Sequence, residues 1–139
     1  MDDPTRHSER TASQRLGDEA EMFVAAGLQT MGWTILARNV RVGRNELDII
    51  AVDRGPPAAL VIVEVRWRRS RDFGLVEDTV DHRKRAHLRA AIGRLLEDGL
   101  PGGGPLPNLP VRVDLVVVEP GAGQNGAPLR RRHHRAILL

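Results

Sequence analysis

ELDIIAVDRGPPAALVIVEVR, residues 46–66, contains two apolar runs, Glu46 to Val52 and Leu60 to Arg66, on either side of a short polar and proline-bearing segment. Both runs are rich in Ile and Val, which suit a pleated surface, and Gly55-Pro56-Pro57 between them cannot continue a strand. The stretch therefore reads as a β-hairpin around a Gly-Pro-Pro turn. Strand side chains alternate between faces, so Glu46 and Asp48 share one face of the first strand, and Glu64 and Arg66 share one face of the second. Pairing symmetric about Pro56 sets Val52 opposite Leu60, Asp48 opposite Glu64, and Glu46 opposite Arg66. A slip of two residues still leaves both acids on one side.

Two carboxylates opposite one another repel, and flanking Ile and Val raise the cost of keeping both charged. Such a pair calls for a proton or a cation. Mg²⁺, or Mn²⁺ in its place, is the natural candidate, since a hard ion binds a few carboxylate oxygens and keeps positions for water and phosphate. A metal held there activates water and stabilises charge developing on a phosphodiester. Glu46 and Arg66 are expected to form a cross-strand ion pair. The alternative reading makes these acids solvated strand ends, neutralised by Arg66 or Arg68.

On the N-terminal side of the hairpin, Leu16, Ala20, Phe23, Val24, Gly27, Leu28 and Met31 recur at steps of three and four, an amphipathic helix ending near Gly32. Trp33 to Val42 is expected as a preceding strand of the same meander. On the C-terminal side, Val80, Leu88, Ala91, Ile92, Leu95 and Leu96 give a second helix from about Asp78 to Asp98, with arginines on its other side. The segment from Gly99 to Pro110 is too rich in Gly and Pro for helix or interior strand and is expected as a long connection. Val111 to Val118 is a strand apolar enough to be buried on both faces. These elements make an α/β domain, a central mixed β-sheet flanked by α-helices. The expected organisation is a flexible N-terminal segment over 1–13, a single domain over 14–119, and a flexible basic tail over 120–139.

A length of 139 residues suits one domain and one site. No apolar run approaches the roughly 20 residues that cross a bilayer. The polar N-terminus lacks the apolar region of a secretory signal, so the expected location is cytoplasmic, with no membrane partner. Cysteine is absent, which excludes disulfides, thiolate nucleophiles and cysteine-bound metals. The histidines lack metal-binding spacing, and no phosphate-binding glycine loop precedes a helix. The pI near 10.8 reflects arginine, Lys84 being the only lysine. Arginine forks match phosphate oxygens, and Arg66, Arg68, Arg69 and Arg71 run outward from the acidic pair, so a nucleic-acid backbone fits there. With two Trp, two Phe and no Tyr, and with Trp33 and Phe23 expected in the core, base stacking is left to Trp67 and Phe73. Recognition is expected to follow backbone shape more than sequence.

Asn45-Glu-Leu-Asp-Ile-Ile-Ala51 followed by Val63-Glu-Val-Arg66 resembles the signature of the YraN-like uncharacterised protein family, typically GEIDLIA and then VEVK. Glu21 in the first helix, Gly32-Trp33, Arg38-Asn39, Lys84 and Val111-Arg-Val-Asp114 fall in the same order around it. The resemblance covers roughly residues 14 to 119. It implies a restriction endonuclease-like core of the PD-(D/E)xK superfamily, similar to that of archaeal Holliday-junction resolvases. Such proteins generally cut nucleic-acid phosphodiesters with Mg²⁺, DNA more often than RNA, and often pair as homodimers. Asp48 is then the first acid of the motif, and Glu64-Val65-Arg66 stands for its (D/E)xK element. Glu21 matches the family's helix glutamate and is expected to complete the metal site, a solvated helix flank being the alternative. Asn45 replaces the usual Gly and tolerates positive φ. Arg66 replaces the usual Lys; an arginine holds phosphate but is a poor proton acceptor, and so a weaker activator of water. Lys84 lies on the inward line of the second helix, where it either reaches a phosphate in place of the missing lysine or snorkels its stem over the core edge. Two functions stand at this point. One is a metal-dependent endonuclease cutting phosphodiesters, with branched DNA as the analogous substrate. The other is a non-catalytic nucleic-acid-binding or protein-interaction domain of the same fold.

Overall fold

In the computed structural model, which describes residues 11–68, 80–121 and 129–139, two helices pack against a five-stranded sheet. The order along the chain is α1 (Ala12–Thr30), β1 (Thr34–Val42), β2 (Asn45–Asp53), β3 (Ala59–Trp67), α2 (His82–Asp98), β4 (Val111–Pro120) and β5 (Leu129–His134). Each helix start has a chemical reason. The Thr11 hydroxyl accepts from the Gln14 N–H at 3.1 Å while Gln14 Oε1 accepts from the Thr11 N–H at 3.0 Å, a reciprocal cap of α1. Asp81 caps α2 by accepting from the Lys84 N–H at 2.8 Å. Gly32 with φ 90° and Gly99 with φ 77° end the two helices in conformations that glycine adopts freely.

The sheet runs β1-β2-β3-β4-β5 in space, antiparallel throughout except for the parallel pair β3–β4, whose connection carries α2. The hairpin has the expected register, with Val52 opposite Leu60 and the ladder continuing to Ile49 opposite Val63. Its turn uses Gly55 at φ 69°, where any Cβ would run into the backbone of Pro57, and Asp53 Oδ1 accepts from the Gly55 N–H at 2.9 Å.

Both faces of the sheet are covered. Ile50, Leu60, Ile62, Leu115 and Val117 pack with Leu88, Ala91 and Leu95 of α2. Ile49, Ala51, Val61, Val63, Val116 and Val118 pack with Ala20, Val24 and Leu28 of α1 and with Trp33. The continuous apolar runs of β3 and β4 follow from this double burial. Two helices on opposite faces of a mixed sheet make an α/β fold consistent with a restriction endonuclease-like core.

One expectation is corrected. The segment 120–139 was expected as a flexible basic tail, but Leu129–His134 form β5, paired along β4 from Leu115 opposite His134 to Pro120 opposite Leu129. Its basic residues read as solvated surface because their partners are remote in sequence. Arg130 Nε bonds to the buried Glu119 at 2.9 Å, and His133 Nε2 to the buried Asp114 at 2.8 Å. Of the N-terminal segment expected to be flexible over 1–13, residues 1–10 lie outside the described residues, whereas Thr11 caps α1 and Ala12 and Ser13 begin it. No helix among those described is long and apolar enough to cross a membrane.

Candidate functional site

The β2–β3 ladder stops at Ile49 and Val63, and beyond it the strands exchange a side chain for a main-chain partner. Asp48 Oδ2 accepts from the Val65 N–H at 2.8 Å. Asp48 lies beside Glu64 at the end of the sheet, close enough for the two carboxylates to act on each other. Glu64 is 3% exposed, and two cations meet its Oε1: Lys84 Nζ at 3.1 Å and an Arg66 guanidinium nitrogen at 3.4 Å. Arg66 therefore pairs with Glu64 on its own strand, not with Glu46 across the hairpin as expected. The reason is reach. Residues two apart on a strand share a face, and the buried carboxylate demands a counter-charge more strongly than a solvated one.

Lys84 arrives from α2, one turn into the helix, and its amine spans from the helix to the acid of β3. The Lys84 amine thus ends on Glu64, neither free in water nor at a phosphate. Glu21 arrives from α1 on the opposite face of the sheet. It is 7% exposed, stands 3.7 Å from Arg38, and leaves Oε1 buried with no hydrogen bond among the described residues.

The electrostatics record the crowding of acids. Burial, then Glu64, pushes the Asp48 carboxyl up to about 7, against the Val65 N–H bond that favours its charged form. Burial also raises Glu21, opposed by Arg38 and assisted by Glu46 and Glu64. Asp48 and Glu64 could hold a hard divalent ion through two carboxylates, with water or phosphate oxygens completing the shell. Among the described residues no three His, Asp or Glu side chains gather closely enough to hold one ion. Glu21 stands on the α1 side, near enough that Glu64 helps to raise its carboxyl.

Of the expected basic contacts, Arg66 and Lys84 are at the acids. Arg68 donates its backbone N–H to Val118 O at 2.8 Å, extending the β3–β4 pairing. Arg69, Arg71 and Phe73 lie outside the described residues. Trp67 packs partly into the α1-side core, which withdraws much of its ring from solvent.

Sequence reasoning missed a second charged cluster, at the far end of β2 and the start of β4. Arg112 donates to both oxygens of Asp114, at 2.9 and 3.1 Å, and to Asp53 at 3.0 Å. Asp114, with no exposed surface, also takes the Ala136 N–H at 2.9 Å and His133 at 2.8 Å. Trp33 lies beneath, with its ring 5.4 Å from the Arg112 guanidinium and edge-on to His133. The available signal was Asp114 itself, an acid between buried Val113 and Leu115 of β4. Such a group requires partners, and here they come from the C-terminal strand.

The model of the uncharacterised protein family UPF0102 matches residues 20–118. A UPF0102 protein of Roseiflexus castenholzii is 40% identical over 108 residues, covering 77% of this chain and 81% of that protein. One from Symbiobacterium thermophilum is 40% identical over 109 residues, 78% of this chain and 86% of its own length. One from Pseudomonas savastanoi pv. phaseolicola is 34% identical over 120 residues, 86% and 91%.

Proposed function

This chain belongs to the uncharacterised protein family UPF0102, and on that premise we propose that it is a metal-dependent endonuclease acting on nucleic-acid phosphodiesters, with DNA as substrate and Mg²⁺ or Mn²⁺ at Asp48 and Glu64. The observation that carries the reading is the Lys84 amine 3.1 Å from Glu64 Oε1, beside an Asp48 carboxyl pushed up to about 7. A lysine and two acids converge although Arg66 occupies the motif's lysine position. Lys84 takes the part that Arg66 is poorly suited to.

Asp48 and Glu64 would hold the ion, which supplies Lewis-acid stabilisation of the phosphate and a water of lowered pKa. Arg66, at the strand position beside the acids, holds a phosphate oxygen in its fork. Lys84 donates to the attacking water or to a non-bridging oxygen and keeps it in line. Glu21 adds negative charge from the α1 side, which strengthens the site's hold on a cation.

The test is incubation of the purified protein with branched, duplex and single-stranded DNA in Mg²⁺, Mn²⁺ or EDTA. Cleavage is expected with either metal, lost in EDTA and lost in Asp48→Ala and Glu64→Ala. Cutting that survives both substitutions would show a contaminant and refute the reading.

A second reading has its own support: Arg66 and Lys84 both neutralise Glu64, and no third acid closes a metal cage among the described residues. A binding module that no longer cuts would retain DNA at low salt and leave every substrate intact.

A further inference from the structure

The alternation of β5 divides its residues into two sets. Arg131 lies opposite Val118 and His133 opposite Val116, both in the α1-side core. Arg131 accordingly stacks its guanidinium over Phe23 of α1 at 5.6 Å and lies against Gly27, whose missing side chain leaves room for it, while His133 holds Asp114. These residues anchor the strand. Arg132 lies opposite Val117, a residue of the α2-side core, and Arg130 opposite Glu119 two positions on. Partners across a ladder share a face, and Val117 is also the partner of Arg66. Arg66, Arg132 and Arg130 therefore lie on the face that carries Glu64. Strand spacing sets Arg66 and Arg132 about 10 Å apart across the sheet, and Arg130 about 7 Å further along β5.

The counter-charges do not exhaust this row. Glu119, 2% exposed, is bonded by Arg130 at 2.8 Å and approached by Arg132 at 3.7 Å. Glu64 likewise faces both Arg66 and Lys84. Each buried carboxylate meets two cations. The Nε–H groups of Arg66 and Arg132 are buried and make no hydrogen bond among the described residues. Yet the side chains of Arg66, Arg130 and Arg132 retain 36%, 34% and 37% of their exposure. Guanidinium groups held in place by buried carboxylates and open to solvent at their outer edges suit a polyanion approaching from outside.

We infer that Arg130 and Arg132 of β5 form, with Arg66, a binding row for the phosphodiester backbone of the nucleic acid, leading from the acidic site across the end of the sheet. This rests on the nucleic-acid reading above and extends it. The strand at the C-terminus does not merely close the sheet; its α2-side residues hold the backbone while its α1-side residues fix the strand. Because the contacts are to phosphate, they govern affinity and salt dependence without selecting sequence.

The experiment is anisotropy of a short labelled DNA duplex in EDTA, titrated with the full-length protein at stepped KCl concentrations. The logarithm of the wild-type association constant is expected to fall linearly with the logarithm of salt. Arg130→Gln/Arg132→Gln is expected to reduce the slope by nearly two, about 0.9 per lost phosphate contact. Arg131→Gln, altered on the opposite face, keeps the wild-type slope. A double variant that is folded by circular dichroism and keeps the wild-type slope overturns the row. A wild-type protein that binds no duplex at low salt overturns the nucleic-acid reading itself, a different failure. A measurement on the unaltered protein guards against misfolding of the variant: with ¹⁵N-arginine label, the Nε–H signals of Arg66 and Arg132 shift on duplex addition and that of Arg131 does not. Binding without movement of those two signals also overturns the row.

Discussion

Lys84 concentrates the question of function in one side chain. Its amine at Glu64 is compatible with a counter-ion or with a participant in chemistry, and the two roles respond differently to replacement. Lys84→Met is expected to lower kcat for DNA cleavage by about 10²-fold or more, in the range of a lost proton-handling group, with KM little changed. Arg66→Lys, which restores the motif's lysine without removing Lys84, is expected to preserve or raise kcat. If Lys84→Met lowers the melting temperature and leaves kcat intact, Lys84 is a counter-ion only. Asp48 yields a second prediction, on stability in EDTA. Its folded pKa, pushed up to about 7, lies above its unfolded value near 3.9, so between those values the folded state binds more protons. Stability contributed by this carboxyl is complete below pH 4 and declines as pH rises to about 7, by a few kcal/mol, on the order of 2–4. Asp48→Asn removes that decline, and a divalent ion at pH 8 offsets it in the wild type, because it binds the folded charged form. Chemical denaturation across pH 5 to 8, with and without Mg²⁺, measures both effects; equal slopes for the wild type and Asp48→Asn would show that Asp48 does not titrate there.

Among the elements, β5 depends most on contacts distant in sequence. Asp114 carries four hydrogen bonds, from Arg112, His133 and the Ala136 backbone, in a position without exposure. Asp114→Ala leaves His133 without its acid partner and Arg112 with Asp53 alone, and is expected to cost about 3–5 kcal/mol in urea denaturation. A loss below about 1 kcal/mol would mean that the cluster is dispensable. Acid acts on the same contacts with the opposite sign to Asp48. Although burial raises Asp114, its bonds to His133, Arg112 and the Ala136 N–H hold the carboxyl below its ordinary value. Its contribution is present above the unfolded pKa and is lost as pH falls through the folded one. Asp53, lowered by the Gly55 N–H and Arg112 against its own burial, follows the same rule. Amide exchange in β5 is therefore expected to accelerate below pH 4 before that in β2 and β3. In α1, Gly27 serves Arg131: Gly27→Ala improves helix propensity by about 1 kcal/mol but drives the guanidinium off Phe23, so the net change in stability is small.

At the scale of the whole molecule, the sheet is closed on one side by β5, and removing the segment after Pro120 exposes β4 along its length. Asp114 and Glu119 then lose His133, Arg130 and Arg132 together. Stability totals of only about 5–15 kcal/mol leave little room for uncompensated buried carboxylates. A chain ending at Pro120 is expected to be insoluble or to lack a cooperative thermal transition. A truncated protein that melts as the full chain does would return the segment to the status of a tail.

The hairpin register, both helices, the buried strand β4 and the meeting of Asp48 with Glu64 were legible in the chain because they depend on local regularities. Alternation with period two, helical recurrence, and a Gly-Pro-Pro turn leave few arrangements open. The ordered resemblance added Glu21 and Lys84 as candidates without saying where they point. Three matters were decided only in three dimensions. Lys84 meets Glu64 only once α2 is laid on the sheet, a placement that helical periodicity does not specify. Arg66 turns to Glu64 because burial, not strand pairing, sets the strength of the demand for a counter-charge. Residues 129–134 pair with β4 as a strand that brings His133 to Asp114 and Arg130 to Glu119, partners that lie eleven or more residues away in sequence. Local pattern determines which face a side chain takes; the cost of burying charge determines which distant residue must come to it.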